Sequence, residues 1–342
     1  MTSADLRTAA ADRPYLQSTI HPDRGSPSLR SRARKVAKSF LSIHRPDGSP
    51  NIFLFSLPRS GSTWLMELVQ TQPGFKTCDE PLDLRNPFVR AHSGLAEWVQ
   101  LYRSADLPTI AAYFDGFCRG SLHFMDPNPV SRYYRPVTRR IVFKMIHGCE
   151  HRLCWFADNF NGRIIYLIRH PIAVAISRES YPTLLPMLRT EYADHFTARQ
   201  LAAAEKVIRH GDKLECGVLS WCLQTSVPLR HRQDDWVVIS YEQMVEEPQK
   251  IVEHVCSRLE LPYPDRMLRW IDKPSHVKYK SDQATQQVLE SRDAERRHWL
   301  VRKWREKVSP EDEMRVMSLL EEFELDAYSP GEPMPAAHLM IS

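Results

Sequence analysis

The stretch Asn51–Phe55 (NIFLF) is a short apolar run that passes straight into Ser56-Leu-Pro-Arg-Ser-Gly-Ser-Thr63 and then into WLMELVQT. The run reads as a buried strand, and the apolar positions of the last stretch suit a helix. A strand, a tight turn and a helix N-terminus make an anion site, because free backbone N–H groups and the positive end of the helix dipole converge there. The spacing is that of a nucleotide phosphate loop, G-x-x-x-x-G-K-[ST], with two changes. Ser56 replaces the first Gly, and Ser62 replaces the Lys that would clamp a β/γ-phosphate pair. Gly61 still allows close backbone approach, Thr63 still supplies a hydroxyl, and Arg59 puts a cation inside the loop.

Three more apolar runs with β-branched content follow, Arg140–Ile146, Arg163–Ile168 and Trp236–Ser240. Helical patterns separate them, around Ile172–Glu179, Ala198–His210, Gly217–Arg230 and Pro248–Leu259. Buried strands alternating with helices predict a three-layer α/β/α fold with a central, mainly parallel sheet. Residues 1–48, rich in Ser, Arg, Asp and Pro, read as a flexible basic arm, with Leu29–Ile43 as a candidate basic helix. A single domain is expected over 49–330 and a C-terminal tail over 331–342.

A metal-dependent nucleotide enzyme of this architecture usually ends a neighbouring strand in Asp, which holds the metal. Here Arg163–Ile168 ends in Arg169-His170-Pro171. Arg169 repels Mg²⁺ and attracts phosphate directly. Ser177, eight residues on in the following helix, offers a hydroxyl to the same anion. The expectation is a phosphate site built from Arg and Ser with no metal, and a kinase or NTPase becomes the weaker alternative.

Composition adds exclusions. The formal charge of +4 comes from residues 1–50, which carry nine Lys/Arg and four Asp, so the body is near neutral and no nucleic-acid partner is expected. No window supplies the ~18–20 apolar residues of a membrane helix, and no signal-peptide run is seen. Seven Cys with no CxxC pair suit a reducing, cytoplasmic setting. His147, Cys149, His151 and Cys154 cluster in sequence, but their spacing matches no standard zinc pattern, and a structural role is expected for them.

Leu57-Pro-Arg-Ser-Gly-Ser-Thr-Trp64 resembles the 5′-phosphosulfate loop of sulfotransferases that use 3′-phosphoadenosine 5′-phosphosulfate (PAPS). Tyr166–Arg178 resembles their 3′-phosphate motif, with Arg169 and Ser177 at its two binding positions. Asp235–Glu242 and Trp304–Pro310 resemble the family's later strand and C-terminal helix, so the likeness spans roughly Asn51 to Tyr328. The resemblance implies a P-loop-containing nucleotide hydrolase-like fold, PAPS as co-substrate without metal, and sulfuryl transfer to a hydroxyl or amine. It places Arg59, Ser60, Gly61, Ser62 and Thr63 on the phosphosulfate, and Trp64 where some members stack the adenine. A non-catalytic nucleotide-binding relative is a further alternative.

Sulfuryl transfer builds charge on the bridging oxygen of the leaving phosphate, and Arg59 is the natural cation for it. The acceptor hydroxyl needs a base. Glu80, in Cys-Asp-Glu-Pro soon after the loop helix, is the first candidate; His147, just past a strand C-terminus, is the second. Lys144, on that strand, is a candidate second cation. A late basic segment is expected over the 3′-phosphate, either His276–Lys280 or Arg296–Lys303. Within Ser291–Lys307 the positions Leu300, Trp304 and Val308 should pack on the body. Acceptor determinants are expected in 81–136 and 179–215, where Trp98, Tyr102, Tyr113, Phe114, Tyr133, Tyr134, Tyr181 and His195 occur; the alternative is that they build a helical cap on the core. The acceptor is expected to be a small molecule, a sugar or lipid-linked, and a homodimer is a candidate assembly.

Overall fold

The computed structural model describes residues 13–17, 43–123, 134–272 and 294–342. Five parallel strands form the central sheet: β1 (Asn51–Ser56), β2 (Phe75–Asp79), β3 (Arg140–Met145), β4 (Gly162–Ile168) and β5 (Val237–Ser240). Their order is β2-β3-β1-β4-β5. The chain thus lays β2 two places to one side of β1, fills β3 between them, then crosses to add β4 and β5 on the other side. The reversal falls at the C-terminal end of β1, where open parallel sheets bind ligands.

Both faces of the sheet are covered, which is why its central strands read as unbroken apolar runs. In β1, Phe53 and Phe55 enter one core and Ile52 and Leu54 the other. Phe53 stacks on Phe143 of β3 with ring centroids 4.7 Å apart. On the opposite face lie Leu65 and Val69 of α1 (Ser62–Gln70) and Val255 and Leu259 of a helix over Pro248–Leu259. The four strands expected from sequence are present to within a residue or two at each end. β2 is the one missed: its residues FKTCD are partly exposed at the sheet edge and carry no apolar run. The expected helices recur at Pro171–Ser177 (α2), Ala198–His210, Lys213–Arg230 (α3) and Pro248–Leu259.

Leu300, Trp304 and Val308 are buried as their spacing requires. Residues 13–17, part of the stretch read as a flexible arm, are seated on the body. Arg13 donates to the carbonyls of Gly211 and Arg209 at 2.6 and 2.8 Å, at the C-terminus of the Ala198–His210 helix where a cation complements the dipole. The Tyr15 carbonyl accepts from the Tyr181 N–H at 2.7 Å, and Leu16 is buried. At the other end Leu339 is buried, and Ile341 exchanges two hydrogen bonds with the Gln243 side chain, at 2.7 and 2.9 Å. Ile43–His44 pairs in parallel with Val137–Thr138 as a separate two-stranded sheet. The candidate helix at 29–43 otherwise lies outside the described residues.

Candidate functional site

Each of the five strands delivers a polar group from its C-terminal end: the loop 57–61 after β1, Glu80 after β2, His147 after β3, Arg169 after β4 and Tyr241 after β5. The loop turns sharply, with Arg59 at φ 75° and Gly61 at φ 90°. A Cβ on Gly61 would lie 2.7 Å from Cδ2 of Tyr241, so both conformation and space demand glycine there. No side chain caps the N-terminus of α1, which leaves its first N–H groups available. Ser60 is fully buried and its Oγ has no partner among the described residues; the Arg59 side chain is exposed. Ser62 is buried at the first turn of α1, and the Trp64 ring packs on Val245, Leu300 and Val301.

Arg169 reaches back to the loop. Its Nη1 donates to the Arg59 carbonyl at 2.6 Å, and its guanidinium lies 4.1 Å over the Tyr241 ring. Its own carbonyl accepts from the Trp221 indole at 2.9 Å, and its buried Nε has no partner among the described residues. His170 behind it stacks on Trp304 at 4.3 Å, and its backbone N–H donates to Glu242 at 2.8 Å. Burial, with Arg305 and Arg169 nearby, pushes the His170 imidazole down to about 3. Burial raises the Glu242 carboxyl, which also accepts from Tyr328 at 2.8 Å. Ser177, at the end of α2, donates to the Ala173 and Val174 carbonyls at 2.8 and 3.0 Å and keeps its oxygen lone pairs.

The other half of the site is ionic. Lys144 is 3% exposed, and its Nζ lies 2.5 Å from Asp79, 2.9 Å from Glu80 and 2.8 Å from the Thr63 hydroxyl. Burial alone would lower the lysine, but Asp79 and Glu80 raise it, so it stays charged. Glu80 has φ 57° and gives its N–H to the Lys144 carbonyl, a bend that turns its side chain back toward the loop. Burial pulls the Glu80 carboxyl up, yet the His147 hydrogen bond and the Lys144 charge outweigh it and hold the carboxyl well below the usual range. His147 Nε2 sits 3.1 Å from Glu80 Oε2 and 3.1 Å from Arg85 Nη2. Asp83 grips Arg85 through Nε and Nη2 at 2.8 and 3.2 Å, and Trp98 stands edge-on to His147 at 5.8 Å.

Arg169 and the loop carrying Arg59 and Ser60 are thus brought together, as are Glu80, Lys144, His147 and Thr63, while Ser177 lies at the far end of α2. Sequence reasoning missed Asp79, Asp83, Arg85 and Tyr241. The run Cys-Asp-Glu-Pro-Leu-Asp-Leu-Arg, four charges in seven residues after Cys78, was the available signal for the first three. The donor atoms of Glu80, Asp83 and His147 lie within 4.8 Å of one another, a spacing a cation can bridge. Lys144 and Arg85 already pair with Glu80 and Asp83, while Lys144 is shared with Asp79. His147, Cys149, His151 and Cys154 are not brought together: Cys149 faces the Leu101 carbonyl and Cys154 is exposed. Of the aromatic candidates for acceptor contact, Tyr102, Tyr113, Phe114 and Tyr181 belong to the core, as does Trp98, which borders His147; Tyr133 lies outside the described residues. His276–Lys280 lies outside them too, and in the other late segment Arg297 is engaged by Asp272 at 2.6 Å.

The sulfotransferase domain family matches residues 49–323 of the chain. A search of curated protein sequences gives no match. Among solved structures, mouse sulfotransferase SULT7A1 complexed with PAP is 17% identical, with a TM-score of 0.43, over 90% of this chain and 96% of that one. The sulfotransferase domain of the curacin biosynthetic pathway is 14% identical, TM-score 0.41, over 81% and 98%. Sulfotransferase STF9 from Mycobacterium avium is 13% identical, TM-score 0.34, over 90% and 84%.

Proposed function

The chain belongs to the sulfotransferase family and is a sulfotransferase enzyme, and from that premise we propose that it transfers a sulfuryl group from PAPS to a hydroxyl of a small-molecule or glycan acceptor. The observation that carries this reading is the pairing of an uncapped helix N-terminus with buried, unpartnered donors, Ser60 Oγ and Arg169 Nε, at the switch point of the sheet. Polar groups buried without partners cost stability unless a ligand meets them.

In this reading Arg169 and Ser177 hold the 3′-phosphate, and the loop N–H groups with Ser60, Ser62 and Thr63 hold the phosphosulfate. Arg59, on the loop, and Lys144, beneath it through Thr63, face the charge that grows on the leaving phosphate oxygen. The acceptor oxygen attacks sulfur in line as its proton leaves for the ionic group. Glu80 is tied through its other oxygen to Lys144, and His147 Nε2, 3.1 Å from Glu80, is the proton acceptor in this reading. The proton then lies within 3.1 Å of the Glu80 carboxylate, which stabilises the imidazolium. In this reading Arg59, Arg169 and Lys144 supply the positive charge of the transfer, and no step calls on a metal. With its seven cysteines all unbridged, the enzyme suits a reducing compartment such as the cytoplasm; no helix among the described residues is long and apolar enough to cross a membrane.

Thermal-shift titration tests the co-substrate. Adenosine 3′,5′-bisphosphate should stabilise the protein without Mg²⁺; stabilisation by Mg-ATP alone would favour the kinase reading. Turnover of labelled PAPS with a panel of sugars, glycolipids and phenols separates enzyme from binding protein. His147→Ala should then abolish transfer while Glu80→Gln retains part of it, and the reverse result would return the base to Glu80.

A further inference from the structure

His147 Nε2 faces two groups that cannot both bond it. The Glu80 carboxylate, at 3.1 Å, only accepts; the Arg85 guanidinium, also at 3.1 Å, only donates. A ring nitrogen carries either a proton or a lone pair in the plane of the ring, so Nε2 serves one of them at a time. Neither neighbour depends on it alone. Glu80 keeps Lys144 on its other oxygen at 2.9 Å, and Arg85 keeps Asp83.

Each arrangement leaves one mismatch, a lone pair on Nε2 against the Glu80 carboxylate or a proton on it against the Arg85 guanidinium, and the first is relieved by Lys144 on Glu80. A protonated Nε2 beside Arg85 sets two N–H donors head to head, whereas a lone pair accepts from the guanidinium. We propose that Arg85 is a positioning residue that occupies the Nε2 lone pair of His147 when no acceptor is bound, fixing the Nδ1–H tautomer, and that the acceptor hydroxyl takes its place. The bond Arg85 makes is of the kind the acceptor must make, a hydrogen donated to Nε2. Asp83 anchors the guanidinium through both Nε and Nη2, and the side chain is 44% exposed, so it can leave Nε2 without losing its ion pair. In the transfer step the acceptor O–H bond breaks and its proton goes to Nε2. The oxygen's electron pair forms the new S–O bond, and the bridging S–O bond breaks with its pair staying on the leaving phosphate. Nε2–H then turns to Glu80. One nitrogen is handed from Arg85 to the acceptor to Glu80.

The transfer step rests on the sulfuryl-transfer reading above, but the tautomer does not, and it is tested first. Nitrogen-15 NMR of the full-length, acceptor-free protein, with His147→Gln to assign the resonances, should give an unprotonated Nε2 and a protonated Nδ1. Arg85→Met should move the proton to Nε2, where it bonds Glu80; Arg85→Lys, which keeps a donor, should restore the Nδ1–H form at least in part. A protonated Nε2 in the parent protein, or an unchanged tautomer in Arg85→Met, overturns the proposal. Melting and the stabilisation by adenosine 3′,5′-bisphosphate should stay unchanged in Arg85→Met, which separates loss of the switch from misfolding. Failure of that nucleotide to bind the parent protein would sink the sulfuryl-transfer reading and leave the tautomer result standing.

Discussion

The two halves of the site hold charge by different means. On the β4–β5 side the cation is flanked by rings: Arg169 over Tyr241, and His170 behind it, neutral, on Trp304. Its buried carboxylate, Glu242, is spent on a backbone N–H and a tyrosine rather than on the arginine. On the β2–β3 side Lys144 meets two carboxylates, Glu80 meets a lysine and a histidine, and the histidine meets an arginine. The first side keeps a buried donor with no partner among the described residues; the second offers one histidine nitrogen two alternative partners. A fixed anion is recognised best by the former, and a proton is moved best by the latter.

The sharpest way to break this contrast is Lys144→Met. It leaves Asp79 and Glu80 as neighbouring uncompensated carboxylates and removes the cation beneath Thr63. The expected result is a loss of about 3 kcal/mol of stability together with a fall of about 10³-fold in kcat, or about 4 kcal/mol of barrier. Urea denaturation and steady-state turnover measure the two, and a rise in KM alone, with kcat unchanged, would show the ionic side to be a binding device. Arg169→Ala tests the other half. Loss of its charge-assisted bonds should weaken adenosine 3′,5′-bisphosphate about a hundredfold, about 2.8 kcal/mol by calorimetry, with the β2–β3 side unaffected.

The smallest effect concerns His170. Its imidazole titrates at about 3 against an ordinary 6.5. Between those values the unfolded chain takes up a proton that the folded one refuses, so stability is full above about 6.5 and declines as pH falls toward 3. The slope from this group is about 1.4 kcal/mol per pH unit. Neither ring nitrogen has a partner, so His170→Phe keeps the stacking and should remove that share of the slope. An unchanged slope in denaturation curves between pH 6.5 and 4.5 would mean that the ring is not held neutral by its burial.

How far the sequence could be read follows the same division. The β1 loop and Arg169-His170-Pro171 were legible because each is a strand end marked by an apolar run, and the phosphate-binding logic is local to it. Strand β2 was not, because an edge strand with two half-exposed faces loses the apolar signal on which detection rests. With it went Asp79, Asp83 and Arg85, whose partners Lys144 and His147 lie more than sixty residues away. Pairing across such a gap is decided by sheet order, which spacing alone does not reveal. Tyr102, Tyr113, Phe114 and Tyr181 were ambiguous for the opposite reason: aromatic enrichment looks the same whether it lines a cleft or fills a core.

The seated termini bear on what counts as one cooperative unit. The family match covers 49–323, yet Leu16 and Leu339 are buried beyond both of its limits, Arg13 caps a helix inside them, and Ile341 pairs with Gln243 next to β5. A fragment trimmed to the matched region would open apolar surface at two separate places and strip a helix end of its counter-charge. The limits of the family match and those of the packed body do not coincide in this protein.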